Sequence, residues 1–301
     1  MIALIDYGRA IVLEIARKLL EQGARVRVLS ANKWNAGWPK HRNLEVISCD
    51  FSNFLQLAHH LAGAERVLVS LHRDLRSPVW AQESQRYGSV VSRAIKLSGI
   101  ERVVNLSSVG AHLSAETGLI LPYHWQEQRL NQIHGLDLVH LRPAFCFERF
   151  LRAIPSIHDS GRFCDALHPE IPILCVAACD VVAIACRELQ SDVYASKPRV
   201  LHLRSQKTHS PVHICKVLTD SVGLSHIKYY RNTQAELERE LRIKGLSEEA
   251  IKAVVETYEA FYTVTFVSEI LSGTTELTRG DVKDFCSTFR MQFQQRSRYV
   301  V

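Results

Sequence analysis

No Cys-x-x-Cys pair occurs among the eight cysteines of this 301-residue sequence, and no further ligand pattern surrounds the closest three, Cys175, Cys179 and Cys186. That lack argues against a zinc site. All eight, several of them inside apolar runs, read as buried free thiols of a reducing compartment. A long hydrophobic run is missing too. The most apolar stretch, Ile171 to Cys186, is broken by Pro172 and Asp180, and the opening Met-Ile-Ala-Leu-Ile-Asp carries no basic residue. Neither a membrane span nor a secretory leader is expected, and the reading places the chain in the cytoplasm. The net charge of +6 is scattered among acids and never gathered into a stripe, so no nucleic-acid footprint is visible. The basic end, Arg290 to Arg298, reads as a solvated terminus. Repeats and low-complexity tracts are absent as well.

What is present is a globular composition, 47% hydrophobic and 23% charged, on a chain long enough to bury a full core, which excludes disorder. Short apolar runs alternate with amphipathic segments from the first residue, the pattern of successive βαβ units. Strands are expected near Ile2–Ile5, Arg25–Leu29, Leu44–Ser48, Arg66–Val69, Arg102–Leu106 and Asp137–Leu141. Between the first two, Ala10 to Gln22 places Ile11, Ile15, Leu19 and Leu20 on one helical face, and Gly23 supplies the stop. Trp80 to Leu97 is the helix before the fifth strand.

After about residue 145, Pro143, Pro155, Pro169 and Pro172 punctuate shorter segments before a helix at Asp180 to Leu189. The last third reads as mostly helical, with Gln234–Ile243 and a long candidate Ser247–Ser268 that has an acidic first turn. The expected fold is α/β, a Rossmann-type doubly wound parallel sheet. Residues 1–145 would form the dinucleotide-binding domain, and 146–301 a smaller, mostly helical C-terminal substrate region whose chain re-enters the main sheet.

Three stretches carry a family resemblance. They are Arg102-Val103-Val104-Asn105-Leu106-Ser107-Ser108-Val109-Gly110-Ala111, then His124-Trp125-Gln126-Glu127-Gln128-Arg129-Leu130-Asn131, then Gly135-Leu136-Asp137 followed by Leu141-Arg142-Pro143-Ala144-Phe145. In order and spacing they resemble the NmrA-like proteins, atypical short-chain dehydrogenases. The likeness extends more weakly through Gly245-Leu246-Ser247 and Glu259-Ala260-Phe261. It implies NAD(P)(H) bound across the carboxyl ends of the strands, with its diphosphate at the first helix's N-terminus, where free N–H groups and the helix dipole attract anions.

This sequence departs from that pattern at the diphosphate turn. The family's Gly-x-x-Gly-x-x-Gly falls on Asp6, Arg9 and Val12. A carboxylate at position 6 opposes a diphosphate, and Val12 crowds the meeting of helix and strand. Gly8, Arg9 and Ala10 are the candidates for a rebuilt contact, and a chain that binds no dinucleotide is the other outcome. At the end of the second strand Asn32 and Lys33 stand where the two nicotinamide dinucleotides are told apart. No acid is there for a ribose 2′-hydroxyl, and Lys33 would face a 2′-phosphate, which favours NADP over NAD. A solvated lysine accounts for it equally. Asp50 lies where the family has an adenine-side aspartate, though it would also serve as an N-cap. Ser70, just after the fourth strand, completes the cofactor-facing set.

The catalytic match is poorer still. The family's tyrosine and lysine, one helical turn apart, fall on Ile120 and His124. Tyr123 beside His124 does not replace them within a helix, where neighbours point about 100° apart. Before the helix their geometry would be open. His124 remains a candidate for proton transfer because histidine titrates near neutrality, and a histidine bonding its surroundings is the plain alternative. Ser107 and Ser108 are candidates to hold a carbonyl oxygen, or else they satisfy the turn backbone. Tyr87, His72, Arg73 and Asp74 join them by position alone, and no Gly-x-Ser-x-Gly elbow is present.

Three functions follow. The first is NADPH-dependent reduction of a small organic substrate through a divergent site. The second is a non-enzymatic NAD(P)-sensing regulator with a protein partner. The third is a cofactor-independent isomerase or cyclase using the old cleft.

Overall fold

The computed structural model describes residues 1–6, 10–31, 37–71, 73–263 and 273–297. The first half runs β1 (Ile2–Asp6), α1 (Ala10–Glu21), β2 (Val26–Ser30), β3 (Leu44–Ser48), α2 (Phe54–Leu61), β4 (Arg66–Ser70), α3 (Trp80–Ser98), β5 (Arg102–Leu106), α4 (Leu121–Asn131) and β6 (Asp137–Pro143). There follow β7 (Phe145–Cys146), α5 (Ile154–Ser160), β8 (Phe163–Asp165), β9 (Ile173–Val176), α6 (Ala178–Gln190) and β10 (Arg199–Ser205). The chain then forms β11 (Thr208–His209), α7 (Pro211–Ser221), β12 (Tyr229–Arg231), α8 (Gln234–Ile243), α9 (Glu248–Ala260), β13 (Thr275–Thr278) and α10 (Val282–Ser297).

Six strands pair in parallel in the order β3-β2-β1-β4-β5-β6, and the sheet continues through β10 to β13 to make eight. The order reverses between β1 and β4, the switch point at which a doubly wound sheet opens a crevice at its carboxyl rim. β1 is buried along its whole length, as a strand covered by helices on both faces must be. All six strands expected from the apolar runs are present. In α1 the buried stripe is Val12, Ile15, Ala16, Leu19 and Leu20, so Val12 faces the core where Ile11 was expected. Among the described residues no helix is long and apolar enough to cross a membrane.

The chain divides into two compact units, and their segments interleave along the sequence where a single boundary at 145/146 was expected. The first comprises Met1–Arg142, Val182–His202 and Ser247–Thr274. Its third segment contains α9, which ends at Ala260 instead of running to Ser268. The N–H groups of Phe261, Tyr262 and Thr263 close tight turns onto Thr257, Glu259 and Ala260, and 264–268 lie outside the described residues. Ser247 caps this helix as expected, its hydroxyl accepting the Ala250 N–H at 3.2 Å.

The second unit comprises Pro143–Val181, Leu203–Leu246 and Thr275–Val301. It holds the small sheets β11-β9-β7 and β12-β8. Phe147, Phe150, Phe163 and Phe289 fill its core, with Phe147 stacked on Phe285. Of the cysteines, Cys49, Cys175, Cys186 and Cys215 are buried and Cys179 is exposed.

Candidate functional site

The carboxyl rim of the first unit begins at Asp6, which ends β1 in register with Ser30 of β2, and both side chains are buried. Gly8, Arg9, Asn32, Lys33 and His72 lie outside the described residues. Ala10 is exposed at the start of α1, whose first turn has no acid. Val12 is fully buried, so the isopropyl group does occupy the helix–sheet contact that a glycine would leave open. Ser70 turns inward. Its hydroxyl donates to the Ile5 carbonyl at 2.9 Å, and its carbonyl accepts the Tyr87 hydroxyl at 2.9 Å. The serine expected to face a cofactor instead locks β4 to β1 and α3.

Beyond β3 and β4 lies a cleft of about 510 Å³, within the range of small-molecule sites. The loop after β3 contributes Asp50 and Ser52, the loop after β4 contributes Arg73 and Asp74, and α3 contributes Glu83, Arg86 and Tyr87. Asp50 accepts the Ser52 N–H at 2.8 Å and the Ser52 hydroxyl at 2.7 Å. These bonds, the backbone one foremost, hold its carboxyl below the usual carboxylate range. It does not cap α2. Asn53 does, accepting the N–H groups of Leu55 and Gln56. The cleft thus combines carboxylate acceptors with guanidinium donors, which suits the hydroxyl, amine and ring-nitrogen groups of a nucleoside. Those residues fit the nucleoside half of a dinucleotide. Asp6 and Val12 do not reproduce the glycine turn that cradles its diphosphate.

At the end of β5 the Ser107 hydroxyl donates to Glu127 of α4, whose carboxylate also takes Arg142 from β6, Nε at 2.9 Å and Nη2 alongside. All three side chains are buried. Burial works to raise the Glu127 carboxyl, but the hydrogen bonds and charge of Arg142, together with the Ser107 hydroxyl, hold it below the ordinary value. An ionised carboxylate only accepts, so the Ser107 proton is committed to it. His140 sits beside this pair, Nδ1 3.0 Å from Asn105 Nδ2 and Nε2 3.0 Å from Asn131 Oδ1. Burial lowers its pKa to about 4, with Arg142 adding to that and Glu127 opposing it, so the imidazole is neutral.

Tyr123 and His124 both lie inside α4, which settles their geometry: they diverge by about 100° and cannot act as a one-turn pair. Tyr123 is buried beneath the Arg73 guanidinium, 5.2 Å from the ring centroid. His124 is half-buried, with Nδ1 3.0 Å from the Ala111 carbonyl, a contact that requires the proton on Nδ1. Ser108 is also half-buried, and its carbonyl accepts the Ala111 N–H. Ile120, in the family's tyrosine position, is buried.

Residues 9–148 match the NAD(P)H-binding family. The match supports a nicotinamide cofactor and bears out the resemblance to NmrA-like proteins. No curated protein sequence matches the chain significantly. Among solved structures, an NADPH-dependent quinone oxidoreductase from Escherichia coli, complexed with NADPH, aligns at TM-score 0.75 with 18% identity, covering 96% of this chain and 99% of its own. A triphenylmethane reductase from Citrobacter aligns at 0.76 with 15% identity, covering 96% and 99%. A nucleoside-diphosphate-sugar epimerase from Staphylococcus aureus aligns at 0.73 with 13% identity, covering 95% and 99%. At these identities the likeness is one of fold.

Within the matched segment, the sequence marks the loops but not their internal bonding. Glu127 and Arg142 both stand in the stretches that carry the resemblance, yet nothing local links two residues fifteen positions apart. Glu83 and Arg86 gave no signal beyond ordinary helix polarity.

Proposed function

We propose that the chain is an NADP(H)-dependent reductase of a small organic substrate, working through a site that lacks the tyrosine–lysine pair. The observation that carries this reading is the cleft beside β3, β4 and α3 in an NAD(P)H-binding-family domain, with nucleoside-compatible acceptors and donors on its walls. The bound dinucleotide would supply the hydride. Asp50 and Arg73 would bind its nucleoside end, and the substrate would be held by positioning more than by acid catalysis. Ser107 cannot donate to a substrate oxygen while its proton goes to Glu127, so that role passes to the Ser108 hydroxyl, and His124, whose Nδ1 proton goes to the Ala111 carbonyl, presents Nε2 as an acceptor. The preference for NADP(H) rests on Lys33 and on the absence of an acid at the end of β2.

Calorimetric titration with NADPH and NADH tests the reading, followed by NADPH oxidation with quinone and triphenylmethane-dye acceptors, the substrate classes in the names of the structural neighbours. Failure of either reduced dinucleotide to bind would end it. Binding without turnover would favour the second reading, a non-enzymatic NAD(P)-responsive regulator with a protein partner. The inward commitment of Tyr123 and Ser107, and Ile120 at the tyrosine position, support that alternative. A cofactor-independent isomerase gains no such support, since the Ser107 hydroxyl is bound to a carboxylate already paired with arginine.

A further inference from the structure

Arg73, on the wall of the cleft, donates from Nη1 to the Leu119 carbonyl at 3.2 Å besides covering the Tyr123 ring. Leu119 belongs to a short 3-10 turn, Gly118–Ile120, that leads into α4 and has no side-chain cap of its own. Helix α9 supplies the missing partners. The Glu256 carboxylate accepts the Gly118 N–H at 3.1 Å, and the Thr257 hydroxyl accepts the Leu119 N–H at 2.8 Å. Thr257 in turn donates to its own helix at Ala253 O, 2.7 Å away. The approach is backbone to backbone: Gly118 has φ +54°, and a Cβ there would stand 2.0 Å from the Ala253 carbonyl oxygen. At its other end α9 ties down the loop that carries Arg73, for the Ser247 N–H donates to the Leu75 carbonyl at 3.0 Å. One helix therefore grips both the chain beside Arg73 and the carbonyl on which Arg73 rests, without lining the cleft itself.

We propose that α9 is a strap that sets Arg73, so that nucleotide affinity in the cleft depends on Thr257 and Glu256, positioning residues that touch no ligand. This rests on the cleft being a nucleotide site, as argued above. An arginine side chain has many rotamers, and ordering it on binding weakens affinity. Held beforehand by a carbonyl and an aromatic face, its planar fork of N–H donors meets the acceptor oxygens and ring nitrogens of a nucleotide already aimed. Loosening the turn returns that ordering to the binding step.

The test is calorimetric titration of the full-length chain with NADPH. Arg73→Met should weaken binding at least about tenfold, the loss of a hydrogen bond from a charged donor. Thr257→Val should weaken it about fivefold, the factor carried by ordering one flexible side chain. The double variant should bind no worse than Arg73→Met alone, because both act through one guanidinium, and Thr257→Ser should restore wild-type affinity. Circular dichroism and thermal melting check that each variant is folded, and Glu256→Ala, which removes the acceptor of the Gly118 N–H, takes the place of Thr257→Val if the latter is not. Wild-type affinity in Thr257→Val, or losses that multiply in the double variant, would overturn the strap while leaving the nucleotide site intact. A wild-type protein that binds neither NADPH nor NADH would overturn both.

Discussion

Buried charge is concentrated on a few side chains, and each makes a separable prediction. Glu127 and Arg142 form an ion pair in which both side chains are buried. Removing one member of such a pair strands the other. Glu127→Ala is therefore expected to lower unfolding stability by roughly 3 to 5 kcal/mol, read by urea denaturation. His140 predicts a pH dependence. Its folded pKa, about 4, lies below the ordinary 6.5, so between these values the unfolded chain binds a proton that the folded chain refuses. Stability should rise with pH through that window by roughly 3 kcal/mol, and His140→Asn should flatten the rise in denaturation curves taken across it. Such pairings were not legible in the sequence. Ser107, Tyr123 and His124 attracted notice as residue types, but the partner that decides what each can do sits on another element, and no local pattern encodes it.

The parallel strands and their crossover helices were legible because β1, β2, β4 and β5 are almost wholly buried and so appear as mainly apolar runs, while β3 is only half-buried. The short strands β7 to β9 and β11 to β13 escaped notice, since two to four residues are too few to show a period. Tertiary demands also shifted details. Val12 displaced Ile11 as an inward residue of α1, and α9 stopped where its last carbonyls are met by tight turns. The docking of α9 against Gly118 gives a prediction at this scale. Gly118→Ala combines a left-handed backbone with a collision against the Ala253 carbonyl, and should lose roughly 2 kcal/mol or more. Gly99→Ala shares the positive φ, +72°, but its Cβ meets nothing within 4 Å. It should lose only the backbone strain, about 1 kcal/mol. Thermal melting of the two variants side by side distinguishes collision from strain.

For the whole molecule, a ligand that binds only the folded state adds stability by mass action. NADPH at a hundred times its Kd should stabilise the protein by about 2.7 kcal/mol, visible as a raised melting temperature, and NADH at the same concentration should raise it less. Arg73→Met, binding about tenfold more weakly, should lose about half of that gain. The interleaving of the two units was the least legible feature, because it depends on contacts between residues more than a hundred positions apart, such as Leu119 with Thr257. It also bears on biosynthesis. When Arg142 leaves the ribosome, all six strands of the parallel core exist, but Glu188, whose carbonyl accepts the buried Arg102, and Thr257, which holds Leu119, have yet to be made. The first unit must therefore wait, incomplete and with apolar surface uncovered, through another hundred or so residues of translation before Thr257 can close it.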